Sequence, residues 1–564
     1  MASSPLFTGE RAVVVIFVAR IVYLAPLSIL YESISLSILA LLALSVEISA
    51  DDHSPTPLFQ FFKTRPGASS GIFLGAVTLP GLMVSKLIQM SRALALGEVG
   101  IEELEYLKVQ YWITSAICFS VLVFLWLVLF RQPRCRYYIN SSCIISCICL
   151  YIGVCCFYCS LTSHGGWNAA LLLLCLSCHG FAAVKLIVNI LDTFPACASI
   201  GEALLVTSGL VAYLGDMCVY TASKTHGYSP ISNTAFKIHY ISRSEISTII
   251  QGMTIGLLLL PMLFKSILRL LGHLRVLSYS GDTADNRIQR SFLFYTSLAF
   301  VLVGIVPSWM QVVQDFGMHP FLWVFNFVFS EPLKRLSLCI YWLVLIYASV
   351  IRFYKISKHS KLERILLRKY YHLLAVLMFI PALIFQPKFL DLAFGVALAV
   401  FLVFEIIRIW RIWPLGKLLH QFMNAFTDHR DSDLLIVSHF SLLLGCALPI
   451  WLSSGFNDRP LAPFAGILSL GIGDTMASLV GHKYGVLRWS KTGKKTIEGT
   501  AAGITSVLAA CSILLPLLAT TGYIFTKNLF SLLLAVTLSG LLEAYTAQLD
   551  NAFIPLMFYS LLCL

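Results

Sequence analysis

Charge is what this 564-residue chain has least of. Only 12% of its residues are Asp, Glu, Lys or Arg, against about 25% in an ordinary soluble domain. With 58% hydrophobic residues, it could not cover a water-facing surface with polar groups. That excludes a soluble globular fold. The chain also lacks a short-period repeat and a low-complexity tail. No GxxxxGK[ST] run surrounds Gly493, so the loop there is not a P-loop. No cleavable signal peptide is evident: the first apolar stretch, 12–31, has Arg20 in its middle and reads as a retained helix.

What is present is a succession of apolar runs of about 20 residues, each able to cross a hydrocarbon core of about 30 Å. Lipid offers backbone groups no partners, so these runs are expected to be helices. Seventeen candidate runs, the first at 12–31 and the last at 551–564, predict an all-α, polytopic membrane bundle with about 15 transmembrane helices.

The net charge of +12 would suggest nucleic acid in a soluble protein. Here the basic residues sit mainly in short loops, which positive-inside topology explains, and no nucleic-acid partner is expected. With Arg131, Arg134 and Arg136 taken as cytosolic, alternation puts the basic loops 271–290, 353–369, 411–433 and 482–498 on the same side. The acidic loop with Glu98, Glu102, Glu103 and Glu105 falls on the other side. The sequon Asn140-Ser141-Ser142 then lies at the cytosolic edge and is expected to go unused.

Of 16 cysteines, nine lie between Cys135 and Cys178 and include two CxxC pairs, Cys156/Cys159 and Cys175/Cys178. Their flanks are Leu, Ile and Phe rather than a polar loop, so they read as soft apolar residues of membrane helices, not zinc ligands.

Composition shifts near residue 410, after which charged residues and glycines cluster at loop edges. This divides the chain into an N-terminal multi-spanning region, 1–410, and a C-terminal catalytic region, 411–564. Three constellations in the second region carry chemistry. In Gly471-Ile472-Gly473-Asp474-Thr475-Met476-Ala477-Ser478, an acid sits inside an apolar span. A carboxylate there costs about 2.5–3.5 kcal/mol on insertion scales, and helix packing does not need one. Its plausible role is to bind a divalent cation. Ser469, Gly473, Ala477, Gly481 and Gly485 form a small-residue stripe that reads as helix packing.

The loop after it supplies Lys483, Tyr484, Gly485, Arg488, Lys491, Thr492, Gly493, Lys494, Lys495, Thr496, Glu498 and Gly499. Cations, hydroxyls, flexible glycines and an approaching helix N-terminus are the groups that bind phosphate. A plain positive-inside loop explains the lysines equally well, but not their closeness to Asp474 and Glu498. The third constellation is Glu543, Thr546 and Asp550, spaced to share one helix face. These carboxylates could bind a metal or accept a proton from an alcohol; capping of the last helix by Asp550 or Asn551 is the structural alternative. A further polar run, Phe426-Thr427-Asp428-His429-Arg430-Asp431-Ser432-Asp433, precedes an apolar span.

These segments, with Lys494-Lys495-Thr496-Ile497-Glu498-Gly499-Thr500 and Leu542-Glu543-Ala544-Tyr545-Thr546, resemble dolichol kinases in order, spacing and membrane context. The resemblance covers about 410–564; the region before it is similar only in being long and many-spanning. It implies transfer of the γ-phosphate of CTP to dolichol or a related polyprenol in the bilayer, giving dolichyl phosphate and CDP for protein glycosylation. It also implies a divalent cation such as Mg2+, a CTP-binding segment matching Lys483–Glu498, and an endoplasmic reticulum membrane location with the site facing the cytosol. On this reading Lys483, Arg488, Lys494 and Lys495 hold phosphates, Asp474 binds metal with Glu498, Glu543 or Asp550 sharing it, and Asp474 or Asp550 is the base. The more distant alternatives are a phytol-type kinase, a phosphatidate cytidylyltransferase and, from another class, a transporter.

Overall fold

The computed structural model describes residues 8–51, 62–65, 68–130, 141–162, 166–226, 243–273, 284–359, 364–424, 437–489, 495–520 and 529–564. The run Phe426–Asp433, the sequon at Asn140 and the loop tip with Lys491, Thr492, Gly493 and Lys494 lie outside the described residues. Among the described residues the secondary structure is helical, with one isolated antiparallel bridge, Arg488 with Thr496.

Among the described residues eleven helices are long and apolar enough to cross a membrane, and five shorter apolar helices accompany them. The protein is thus an all-α, multi-pass membrane bundle. The first apolar run is not one helix: it breaks after Gly9–Leu24, where Ala25 and Pro26 are extended, and a new helix runs Leu30–Asp51. Proline removes an amide donor and constrains the residue before it, which explains the break. Both CxxC pairs lie within helices, Ser141–Thr162 and Gly166–Thr193.

One large core joins apolar residues from the first helices with those of the last, from Val13 and Leu36 to Leu542 and Phe558. A second, smaller core gathers Ile250, Leu257, Phe264, Phe294 and Met310 with Leu392 and Ile407. Residues on both sides of position 410 share each core, Ile412 joining the second.

Long-range contacts identify the two ends of the bundle. At one end Arg11 pairs with Glu47 and Asp51, Arg65 with Glu202, and Lys495 with Glu543. At the other, Arg92 pairs with Asp458, and Arg459 donates to the backbone carbonyl of Leu564. Following the helices in turn brings Phe130, His273, His359 and Tyr484 to the first end.

Candidate active site

Asp474 ends a π-helical stretch, Ile467–Asp474, that runs directly into the α-helix Thr475–Tyr484. Such widened turns re-aim side chains and are frequent at functional sites. Here the turn leaves the Asp474 side chain only 3% exposed. A carboxylate so placed requires charged or hydrogen-bonding partners, and the helix Arg364–Phe385 brings two. Lys369 donates to its Oδ2, and His372 stands with Nδ1 3.2 Å from the same oxygen. The close approach depends on Gly471, where a Cβ would lie 2.3 Å from Val376 Cγ2. His372 Nδ1 also lies 3.1 Å from the Leu470 carbonyl, which holds the ring in place.

The small-residue stripe packs as its spacing suggests. A Cβ on Gly499 would meet the Ala477 carbonyl at 2.6 Å, and one on Gly503 the Gly473 carbonyl at 3.0 Å. The helix Ile497–Thr520 thus lies tightly along the Asp474 helix.

The loop between these two helices is a short hairpin. Ile497 N–H donates to the Leu487 carbonyl at 2.8 Å, and Trp489 N–H to the Lys495 carbonyl at 3.2 Å. Glu498 accepts from the Leu487 amide through both carboxylate oxygens, at 2.9 and 3.2 Å, so it fastens the base of the hairpin. Trp489 packs on Tyr545 at 5.0 Å between ring centres and donates to Thr500 Oγ1 at 2.9 Å. Lys483 and Tyr484, at the end of the preceding helix, and Arg488 on the hairpin are exposed, Gly485 is half-buried, and Thr496 is buried with its hydroxyl accepting from Gly499 N–H at 3.2 Å.

Lys495 points inward. It pairs with Glu543 Oε1 at 2.9 Å and also donates to the Glu543 carbonyl. Burial works against its charge, but Glu543 and then Asp550 outweigh this and lift the ammonium pKa above the ordinary lysine value.

Glu543 and Asp550 do not share one helix face. The helix Leu529–Tyr545 ends between them and the last helix starts at Asp550. The reason is local and long-range at once. Thr546 Oγ1 accepts from Gln548 N–H at 3.1 Å, a side-chain turn that competes with helix. Backbone groups of the turn then find partners far away: Arg65 donates to the Ala547 carbonyl at 2.9 Å, and Leu549 N–H donates to Glu202 Oε1 at 2.7 Å. Asp550 accepts from Asn551 N–H at 3.2 Å in the first turn of its own helix.

The result is a cleft of about 30 Å³ lined by Asp474 and Glu543 at its polar end. Asp550 is not among its lining residues, though Lys495 and Glu543 both feel its charge. Among the described residues, no three His, Cys, Asp or Glu side chains are grouped to hold a metal ion. The donor set nevertheless suits a hard cation shared with phosphate, which needs only one or two carboxylates. Asp474 and Glu543 each hold an ammonium group where such a cation would bind.

Two residues of this centre, Lys369 and His372, escaped the sequence reading. Lys369 counted only as a topological loop charge. The available signal was a Lys and a His one helical turn apart at the start of an apolar run.

A helical bundle with a buried acid–base centre under a basic hairpin is the architecture of a polytopic membrane enzyme. Comparison with known proteins specifies it further. The chain is 59% identical to "Dolichol kinase EVAN" of Arabidopsis thaliana over 567 residues, which covers 99% of this chain and 98% of that one. It is 32% identical to the dolichol kinase of Homo sapiens over 389 residues, 66% of each chain. With "Dolichol kinase sec59" of Schizosaccharomyces pombe it shares 35% over 295 residues, 49% of this chain and 57% of that one. The dolichol kinase family model matches residues 180–443. No solved structure matches the chain. The chain belongs to the dolichol kinase family. The likeness is not confined to 410–564, as the motifs alone suggested: the family match lies largely upstream and includes Glu202, Lys369 and His372.

Proposed function

We propose that the protein transfers the γ-phosphate of CTP to dolichol or a related polyprenol, giving dolichyl phosphate and CDP for protein glycosylation. The observation that carries this reading is the pair of carboxylates, buried Asp474 and half-buried Glu543, facing one cleft beneath a basic hairpin. Phosphoryl transfer asks for positioning and charge neutralisation more than for covalent help. Exposed Lys483 and Arg488, with Lys491 and Lys494, suit the phosphates, and Glu498 holds the two arms of the hairpin in register. CTP rather than ATP is supported by the likeness of Lys483–Glu498 to the family's nucleotide-binding segment.

A divalent cation, Mg2+ being the expected one, would be held by Asp474 together with the nucleotide phosphates and would neutralise charge on them. Glu543, on the opposite wall of the cleft with Lys495 as its partner, suits the base better than Asp474, which both Lys369 and His372 engage. The charge of Asp550 acts on Lys495 and Glu543. Positive-inside distribution of the basic loops supports a cytosolic site, and family membership supports the endoplasmic reticulum membrane.

The test is a membrane assay crossing γ-labelled CTP or ATP with dolichol, phytol or phosphatidate. Label in dolichol from CTP supports the proposal. Label in phytol alone, or release of pyrophosphate with phosphatidate, replaces it with one of the related reactions.

A further inference from the structure

Asp474 and Glu543 form only one end of their cleft. Inward from them the walls are mainly apolar apart from Ser469 and Ser539, with Val507 from the helix Ile497–Thr520, Val536 from Leu529–Tyr545, and Ile554 and Phe558 from Asp550–Cys563. Glu543 and Val536 are seven residues apart on one helix, so the cleft runs about 10 Å into the bundle at 1.5 Å per residue. A nucleotide does not suit its walls: a triphosphate against Val, Ile and Phe would lose hydration without replacement. An ordinary acyl chain suits the walls but brings no donor for the carboxylates. A long-chain primary alcohol suits both ends, with one hydroxyl donor and a hydrocarbon tail that gains by burial.

We propose that this cleft seats the head of the acceptor lipid, with its hydroxyl at Asp474 and Glu543 and its first isoprenoid unit along Val507, Val536, Ile554 and Phe558. The inference rests on the reaction proposed above and adds where the acceptor lies. The acceptor approaches from within the membrane, and the nucleotide from the hairpin side. In the transfer, the alcohol oxygen forms a bond to the γ-phosphorus while the bond from that phosphorus to the β–γ bridging oxygen breaks. The hydroxyl proton passes to Glu543, and the nucleoside diphosphate leaves toward the hairpin. The apolar wall makes Val536 a specificity-determining residue for the α-isoprenoid unit.

The direct test is photolabelling of the full-length protein in membranes with a short polyprenol carrying a diazirine on its first isoprenoid unit. The result expected is label on peptides 497–520, 529–545 and 550–563 at cleft residues, displaced by excess dolichol. Label confined to other helices, or label that dolichol does not displace, overturns the inference. A probe that takes label at the cleft but never accepts phosphate from CTP overturns the reaction instead, so the two failures read differently. In a second arm, Val536→Trp fills the wall. Overpacking of this kind should raise the KM for dolichol about tenfold while the KM for CTP stays at the wild-type value. An unchanged KM for dolichol in a folded Val536→Trp protein also overturns the inference.

Discussion

Lys369 pairs with Asp474 across 105 residues of sequence, inside the bundle, where the carboxylate is 3% exposed. The pair joins the middle of the chain to its C-terminal motifs, and His372 completes it from the next turn of the same helix. Removing one partner of a buried pair costs about 3–5 kcal/mol because it leaves the other charge alone in a poor solvent. Lys369→Met is therefore expected to lower the thermal stability of the detergent-solubilised protein and abolish transfer. The double variant Lys369→Met/Asp474→Asn should recover most of the stability but none of the activity. A double variant that transfers phosphate at the wild-type rate would remove Asp474 from the site.

The turn 546–549 sets the spacing between Glu543 and Asp550, and its anchors come from the N-terminal half. Arg65 bonds to both Glu202 and the Ala547 carbonyl, Glu202 holds Leu549 N–H, and Gln548 donates to Ser69 at 2.9 and 3.0 Å. The segment holding Arg65 and Ser69 and the start of the helix Ile200–His226 therefore position the turn that lies between two of the carboxylates. Arg65→Met with Glu202→Gln removes the ion pair while keeping an acceptor for Leu549. It should lower kcat by as much as about a hundredfold, the scale of a 1 Å misplacement, and leave the KM for CTP unchanged, since the hairpin is not touched. Steady-state kinetics on the folded variant separates this from a general loss of structure, which would impair both.

The membrane class, the span pattern and the position of Asp474 were legible in the sequence because each reflects composition or local pattern: few charges, apolar runs, one acid in such a run. The basic hairpin was legible for the same reason. Lys369, His372, Arg65 and Glu202 were not. Each is an ordinary loop or helix residue in its own neighbourhood, and its meaning arises only when segments over 100 residues apart pack together. The common face assigned to Glu543 and Asp550 failed for a related reason: helical spacing assumes a continuous helix, and the break at 546–549 is held open by partners from elsewhere in the chain.

Lys495 yields a pH prediction. Glu543 and Asp550 raise its pKa in the folded protein above the unfolded value of about 10.4. A raised lysine contributes stability that is fully present below the unfolded pKa and is lost only as pH rises through the higher folded value. Between pH 7 and 10 the Lys495–Glu543 pair should therefore stay intact. Lys495→Arg, charged at every pH in that range, should give an alkaline limb of the pH–rate profile that overlays the wild type. A limb displaced in the arginine variant would mean that Lys495 does titrate there.

The divalent cation is expected to arrive with the nucleotide rather than to reside in the protein. Asp474 and Glu543 already hold ammonium groups, and no group of three ligating side chains occurs among the described residues. A resident structural ion contributes folding free energy, so its chelation unfolds the protein; an ion carried by phosphates does not. EDTA should therefore stop transfer completely while leaving the thermal unfolding midpoint of the nucleotide-free protein where it was. Added Mg2+ should restore the rate at once, without refolding, and should raise the midpoint only when CTP is also present, by the mass action of a ligand that binds the native state alone. A midpoint that falls on chelation without nucleotide would assign the cation a structural place instead.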